Sequence, residues 1–495
     1  MHSAVENQLS SLFPLPLVPL EKFLLWDDRV DNPMCMFVEL HFSTALRMDA
    51  LKQAISTAVH RNPLLSCRLA TIDGELHWQY VEDPTPNLFF EEHYPTLDCG
   101  MPRPFDLENE LGCRFWYREQ ADGQSRVLIQ CHHAICDGYG LRRVTIDILT
   151  QYAEQTDPPD AAVRFKEVRS RSVSKVDKLD IELLRRRHDF ESIRPKVDTI
   201  SKWQRIKNAW YFHIQLPRPL PGNADEGTLP SNCEPLRQRA FDKEFLERVT
   251  EKAQKDGFSL NDVAIACLFW TCARWYEKSH SRGRKYQRKW FGLRRNDRIR
   301  VLMPFDLRSR IDLRMPAANR FSFAFLGRPA SQCADVATLL PSVKKEIESI
   351  KQTMLPLDFL DAVAMAATNP RLTKWLIKRR RNMATVALTY TGDFARGLNK
   401  QFPEVSGSRL VGDTRLTNIL VAPPSRDNTS ISLGLFLNMG QLYICATWNR
   451  KVFSANDAEA FLRLYETAWK EWLGCPDVNH LLVEATTGVT TDKAE

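Results

Sequence analysis

The chain has 495 residues, 43% of them hydrophobic and 26% charged, with 12 Trp, 11 Tyr and 26 Phe. That is enough apolar material for a large core, so wholesale disorder is excluded; 20 Gly and 28 Pro without a period exclude collagen-like and low-complexity chains. The formal net charge is +7, but residues 278–300 hold ten Lys/Arg against Asp297 alone, a local +9 that leaves −2 for the remainder, so local basic patches are expected on an otherwise near-neutral protein.

At roughly 100–200 residues per domain, the length predicts two to four domains or one large fold with an internal duplication. No stretch approaches ~18 consecutive apolar residues, so no transmembrane segment is expected. Residues Met1 to Phe13 lack a basic segment followed by an apolar one, so no secretory signal is expected. Twelve cysteines are scattered without a CxxC pair. In a chain this long they predict reduced thiols and a cytoplasmic protein.

Strand and helix signals alternate along the chain. Met34 to Ser43 alternates like a strand, and Met48 to His60 carries Leu51, Ile55 and Val59 at helical spacing. Leu64–Leu69 and Leu76–Val81 read as a strand pair around Asp73-Gly74. Cys113–Arg118 and Arg126–His132 form a second pair around Asp122-Gly123, followed by an amphipathic helix over Leu141–Tyr152. Residues 155–210 are charge-rich and poor in strand signals. Five prolines between Pro217 and Pro235 mark a crossover.

The second half repeats the theme. Ser259 with Asp262 predicts a capped helix to Trp275, whose apolar residues Phe269, Trp270 and Trp275 suit a core helix or, as the second reading, the wall of a lipid pocket. Arg300–Phe305 reads as a buried strand and Val336–Ile350 as a helix. Thr385–Thr391, Ser430–Leu437 and Gln441–Trp448 read as strands, the last two turning at Met439-Gly440. Ser454 with Asp457 predicts a cap for a helix to about Trp472. These signals predict an α/β (α+β) fold of two similar halves with mixed sheets. The boundaries are residues 1–215, a Pro-rich crossover at 216–235, and residues 236–495.

The feature that carries chemistry is Cys131-His132-His133-Ala134-Ile135-Cys136-Asp137-Gly138, between a strand and a helix. Histidine's ordinary pKa lies near neutrality, which suits a general base. Neighbours on a strand point to opposite faces, so one histidine faces a cavity and the other packs inside. Gly138 is expected to permit a sharp turn, and a buried Asp137 needs a cationic or hydrogen-bonding partner. An ordinary structural histidine pair stays open as the bland reading. A metal site is not expected: no second Cys/His cluster exists, and a tight strand–turn cannot aim four ligands at one centre. A Ser-His-Asp hydrolase would need a G-x-S-x-G elbow, which is absent.

His132-His133-x-x-x-Asp137-Gly138 resembles the HHxxxDG signature of the chloramphenicol acetyltransferase-like superfamily. That superfamily includes peptide-synthetase condensation domains, polyketide-associated acyltransferases, alcohol acyltransferases and bacterial wax ester synthases. Pro19 to Leu24 with Asn32-Pro33-Met34 resembles the opening of the wax ester synthase branch. Leu51 to Leu69, with His60-Arg61-Asn62-Pro63-Leu64-Leu65, is similar to the segment preceding the signature in condensation domains. Met303-Pro304-Phe305-Asp306-Leu307-Arg308 and Ala318-Asn319-Arg320 resemble the second-half P-x-D-L-R and G-N, with Ala318 standing for the usual Gly. No D-F-G-W-G run is present, and Thr389-Tyr390-Thr391-Gly392 replaces an S-N-x-G-like segment.

The resemblance implies two acetyltransferase-like subdomains packed as a pseudo-dimer around a central tunnel. It implies an ester- or amide-forming acyltransferase for acyl groups other than aminoacyl, free-standing rather than part of an assembly line. His133 is then the catalytic base, supported by His132, Gly138 and a structural Asp137, with Arg308 as the ion-pair partner by motif position. Thr391, Ser322 and Asn319 are the oxyanion candidates. No cofactor is expected to be permanently bound; acyl-CoA or a phosphopantetheine thioester is the co-substrate. The expected partners are a small-molecule or lipid acceptor and an acyl or peptidyl carrier protein, with no nucleic acid. The rivals are a non-catalytic relative that binds a thioester or carrier protein, and an anionic-polymer or membrane-surface binder acting through residues 278–300. Tyr286 and Trp290 interleave with the basic residues there, although a solvated insertion loop is the simplest reading of that stretch. A second basic run extends from Arg371 to Arg381, and its Lys378 to Arg381 is expected to sit on the end of an exposed helix.

Overall fold

The computed structural model describes residues 8–30, 32–90, 104–157, 179–195, 203, 216–224, 236–281, 298–371, 373–374, 383–394, 398, 401–427, 429–474 and 482–483. Most of the basic stretch, with Tyr286, Trp290, Arg294 and Arg295, lies outside them. So do Lys378–Arg381 and the second part of the Pro-rich crossover.

The apolar run Cys35–Phe42 is buried almost throughout, which fits a central strand covered on both faces. It pairs antiparallel with Ser125–His132, placing Cys35 opposite His132. These strands lie at the heart of a seven-stranded sheet. Its order is Glu404–Val405, Ser408–Val411, Thr414–Ala422, Cys35–Phe42, Ser125–His132, Cys113–Glu119 and Asn87–Phe90. Only the last pairing in that order is parallel.

A second seven-stranded sheet follows the order Phe321–Pro329, Arg298–Asp306, Val386–Asp393, Ile431–Asn438, Gln441–Trp448, Leu236–Phe241 and Leu482–Val483. Val386–Asp393 is parallel to both neighbours, so the sheet is mixed. A three-stranded sheet joins Leu15–Pro16, Glu75–Tyr80 and Cys67–Ile72. The expected strand Leu64–Leu69 begins later, because Pro63 opens a 3-10 turn over Pro63–Ser66 that buries Leu64 and Leu65.

Helices cover the sheets. Helix Met48–Arg61 buries Leu51, Ile55 and Val59 on one stripe. Helix Leu260–Ser281 opens on the reciprocal bonds of Ser259 and Asp262, and Val263 to Phe269 are fully buried, making it a core helix. Helix Ala455–Leu473 opens on the Ser454–Asp457 capping box.

The two halves share structure. Thr414–Ala422, from the second half, pairs with Cys35–Phe42 in the first-half sheet. Phe321 and Phe323 belong to the same apolar cluster as Met34 and Leu141. The end of Ser125–His132 therefore meets the segment 317–323 at the seam.

Candidate active site

Strand Ser125–His132 ends where helix Gly138–Thr156 is about to begin, and residues 133–137 bridge them. Backbone groups in such a link lose their ladder partners and must find others. His132 N donates to Gly112 O at 2.9 Å and His133 N to Met34 O at 2.8 Å. Ile135 N donates to His132 O at 3.0 Å. Asn319 Nδ2 crosses the seam to donate to both His133 O and Ala134 O, at 2.9 and 2.8 Å. The loop is thus bonded on both sides.

The two histidines diverge as the pleat dictates. His132 is buried, and its Nδ1 accepts from Ala134 N at 3.1 Å. Its proton therefore sits on Nε2, which faces Asp28 Oδ2 at 3.6 Å. With its ring edge-on to Phe105, His132 is a packing residue. His133 is half-buried, and its ring lies 5.0 Å from that of Phe321, tilted by 31°. Burial pushes the His133 pKa below its ordinary value; its own backbone and Asp137 pull upward, while His132 and Arg426 add to the depression. The imidazole is accordingly neutral at pH 7, the form a base requires.

Asp137 caps the following helix, its Oδ1 accepting from Gly140 N at 2.9 Å. Arg308 meets the same carboxylate with both terminal nitrogens, Nη1 at 2.8 Å from Oδ2 and Nη2 at 2.9 Å from Oδ1. Arg320 N supplies a fourth contact, to Oδ2 at 2.9 Å. Burial disfavours the Arg308 charge, but Asp137 and Asp306 outweigh it and hold the guanidinium above its ordinary pKa. The Asp137 carboxylate is therefore saturated and serves the architecture of the loop.

Gly138 departs from its expected role. Its backbone is not in the left-handed region, and a Cβ there would meet nothing. The steric demand falls on Gly140 instead, where a Cβ would stand 2.8 Å from Cys136 Cβ, 3.2 Å from Ala318 N and 3.3 Å from Ala317 Cα. Helix and seam approach too closely there for a side chain.

The oxyanion candidates are unequally placed. Both Nδ2 protons of Asn319 are spent on the loop carbonyls. Ser322 is fully buried and donates its hydroxyl to Pro356 O at 2.6 Å. Thr391 is half-buried, and among the described residues its hydroxyl makes only a long 3.4 Å contact with Leu435 O. Three further residues at the site carried no assigned role in the sequence reading: Asp28 behind His132, Phe321 against His133, and Asn62, whose Oδ1 accepts from Ala317 N at 2.8 Å. Their local patterns are those of ordinary loop and strand residues.

A cavity of about 330 Å³ is lined from both halves, among others by Leu20, Phe190, Leu360 and Asn319. His133 is not one of its lining residues. Among the described residues, no group of three or more His, Cys, Asp or Glu could hold a metal ion, and no helix is long and apolar enough to cross a membrane.

No family model matches the chain. A Salinispora arenicola protein named "Probable non-canonical nonribosomal peptide synthetase (NRPS) CymA" is 25% identical over 150 residues, 29% of this chain and 2% of that protein. The chain thus matches only a small part of that relative's length. Three solved structures align over nearly the whole chain. The trichothecene 15-O-acetyltransferase TRI3 of Fusarium sporotrichioides has a TM-score of 0.61 at 11% identity, covering 92% of this chain and 94% of its own. The condensation domain of the Monacolin K polyketide synthase MokA gives 0.57 at 13%, covering 94% and 97%. The first condensation domain of the calcium-dependent antibiotic synthetase, in complex with a substrate analogue, gives 0.55 at 13%, again covering 94% and 97%. The chain has the two-lobed fold of condensation domains and chloramphenicol acetyltransferase-like acyltransferases.

Proposed function

We propose that this protein is a condensation-type acyltransferase that moves an acyl group, other than an aminoacyl group, from a thioester to an alcohol or amine, with His133 as general base. The observation that carries the reading is His133 itself. It is a half-buried, neutral imidazole at the lobe seam, on a loop whose neighbouring carboxylate is locked by an arginine from the other lobe. Proteins of this fold include a named acetyltransferase and a condensation domain bound to a substrate analogue. We take residues 1–215 and 236–495 as the lobes, joined by 216–235, with the acceptor and donor approaching through a tunnel between them. The nine described cysteines are free and buried, which fits a reducing, cytoplasmic setting.

The neutral ring takes the proton from the acceptor O–H or N–H as that heteroatom attacks the thioester carbonyl carbon. The C–O or C–N bond forms and the carbonyl electrons move onto oxygen. Collapse of the tetrahedral oxyanion breaks the C–S bond, and the departing sulfur takes the proton back from the imidazolium. Positioned proton transfer of this kind is worth about 10²–10⁴-fold. Of the three oxyanion candidates, Thr391 has the hydroxyl proton least committed within the protein. The donor is acyl-CoA or an acyl group on a carrier's phosphopantetheine; neither is a resident cofactor.

Free-thiol release from acyl-CoA and from acyl-pantetheine, measured against a panel of alcohols and amines, tests the reading. Acceptor-dependent thiol release that His133→Ala reduces by at least about 10²-fold, in a folded protein, supports it. Release unaffected by that substitution rejects His133 as the base. No turnover with either donor and any acceptor rejects the transferase reading.

A further inference from the structure

Four successive residues of the second half grip the histidine loop or its neighbours. Ala317 N donates to Asn62 Oδ1 at 2.8 Å, and Ala318 O accepts from Arg308 Nη2 at 2.9 Å. Asn319 reaches the carbonyls of His133 and Ala134, and Arg320 N donates to Asp137 Oδ2 at 2.9 Å. Asn319 is the member that touches the backbone carrying the imidazole. It is 1% exposed, and its own Oδ1 is buried with no hydrogen-bond partner among the described residues.

That asymmetry is informative. A buried orphan acceptor is unfavourable, and an apolar residue of similar size would avoid it. The side chain is of use here for its amino group alone. Both protons of that group go to adjacent carbonyls, so neither is left for a substrate oxyanion.

We propose that Asn319 is a positioning residue for His133, its amide fixing the 133–134 peptide so that the imidazole rests against Phe321 and points at the acceptor. The proposal rests on the reading of His133 as the base. The mechanism is geometric. Among the described residues, His133 makes one ring–ring contact, with Phe321, and its Nδ1 has no hydrogen-bond partner. The ring's direction is therefore set by the backbone from which it hangs. The first half holds that backbone by His133 N to Met34 O and by Ala134 N to His132 Nδ1. Asn319 supplies the opposing hold from the second half, and a 1 Å misplacement of a reacting group can cost about 10²-fold in rate.

The test compares Asn319→Asp and Asn319→Ala with Asn62→Ala. The aspartate keeps the shape but presents oxygen to the two carbonyls. The alanine removes the contact without that repulsion. Asn62→Ala loosens the same clamp at Ala317, away from the histidine carbonyls. Two readouts are needed: kcat and acceptor KM by thiol release, and the pH dependence of His133 carbethoxylation by diethyl pyrocarbonate, followed by peptide mass spectrometry.

Both Asn319 variants are expected to lower kcat by about 10²-fold with acceptor KM within about twofold. The carbethoxylation midpoint of His133 should rise, because a loosened ring is better solvated. The groups that share its titration are Asp137, His132 and Arg426, all unchanged in these variants. Asn62→Ala should lower the melting temperature but leave kcat within about threefold. The proposal is overturned if the Asn319 variants melt earlier yet keep wild-type kcat and carbethoxylation profile, or if Asn62→Ala lowers kcat equally. If His133→Ala stays active while the Asn319 variants shift the carbethoxylation profile, the base reading fails and the positioning of the ring stands. Should Asn319→Asp fail to fold, Asn319→Ala carries both measurements.

Discussion

Arg308 and Asp137, 171 positions apart in sequence, form a two-pronged ion pair whose side chains are 5% and 6% exposed. One partner lies two residues beyond the strand Arg298–Asp306 and the other caps the helix after the histidine loop. Removing one member of a buried pair leaves the other charge uncompensated, which costs about 3–5 kcal/mol. Arg308→Ala is therefore expected to lower unfolding stability by that amount in chemical denaturation. Arg308→Lys keeps the charge but not the fork, so it should fall between the two. The double variant Asp137→Asn, Arg308→Met should be more stable than Arg308→Ala alone. A loss below about 1 kcal/mol for Arg308→Ala would show the pair to be solvated.

The depressed pKa of His133 makes two pH predictions with the same sign. Activity needs the neutral ring, so kcat/KM should rise with pH with its midpoint below the ordinary histidine value near 6.5. Stability follows by linkage. The unfolded residue binds its proton near 6.5 and the folded one only at lower pH. Between those two values the unfolded chain holds more protons, so stability climbs with pH across that window and flattens above it. His133→Gln should reduce the slope of melting temperature against pH below 6.5 without abolishing it. An unchanged slope would mean that His133 is not held neutral by its surroundings.

Gly138 and Gly140 should respond in opposite directions to alanine. Nothing lies within 4 Å of a Cβ at Gly138, whose backbone is ordinary helix, so Gly138→Ala should stabilise by about 0.5–1 kcal/mol through reduced freedom of the unfolded chain. At Gly140 the new methyl would press on Cys136 and on the backbone of Ala317 and Ala318, so Gly140→Ala should cost about 1–3 kcal/mol. Melting curves of the two variants check this, and equal shifts would contradict the close approach.

The contrast between those glycines shows what local sequence can convey. The alternation of facing residues at a strand end separates His132 from His133, because a two-residue period is a local property. A motif position was enough to suggest Arg308 for Asp137. Helix starts at Ser259 and Ser454 were legible because a cap is spelled within four residues. The demand for glycine at 140, by contrast, comes from Ala317 and Ala318, and no local pattern carries it. Thr414–Ala422 alternates in burial like any half-buried strand, yet its partner is Cys35–Phe42, almost 380 residues earlier. Which sheet such a strand joins is decided by long-range packing. Asn319 read as an oxyanion donor for the same reason: its type was right, and only the fold shows where its protons go.

Ser322 offers the sharpest check on the oxyanion candidates. Its hydroxyl is buried and donates to Pro356 O at the start of helix Pro356–Ala367. Ser322→Ala removes this buried hydrogen bond, worth about 0.5–1.5 kcal/mol. The variant is thus expected to lose stability while kcat/KM for thiol release stays within about twofold. An oxyanion donor would behave in the reverse manner, since losing one typically costs about 10²–10³-fold in kcat. Thr391→Ala is the matched comparison: its hydroxyl makes only the long contact with Leu435 O, so stability should change little. If Thr391 faces the oxyanion, kcat should fall by at least tenfold in that variant alone. A large kcat loss in Ser322→Ala with unchanged melting would reverse the two assignments.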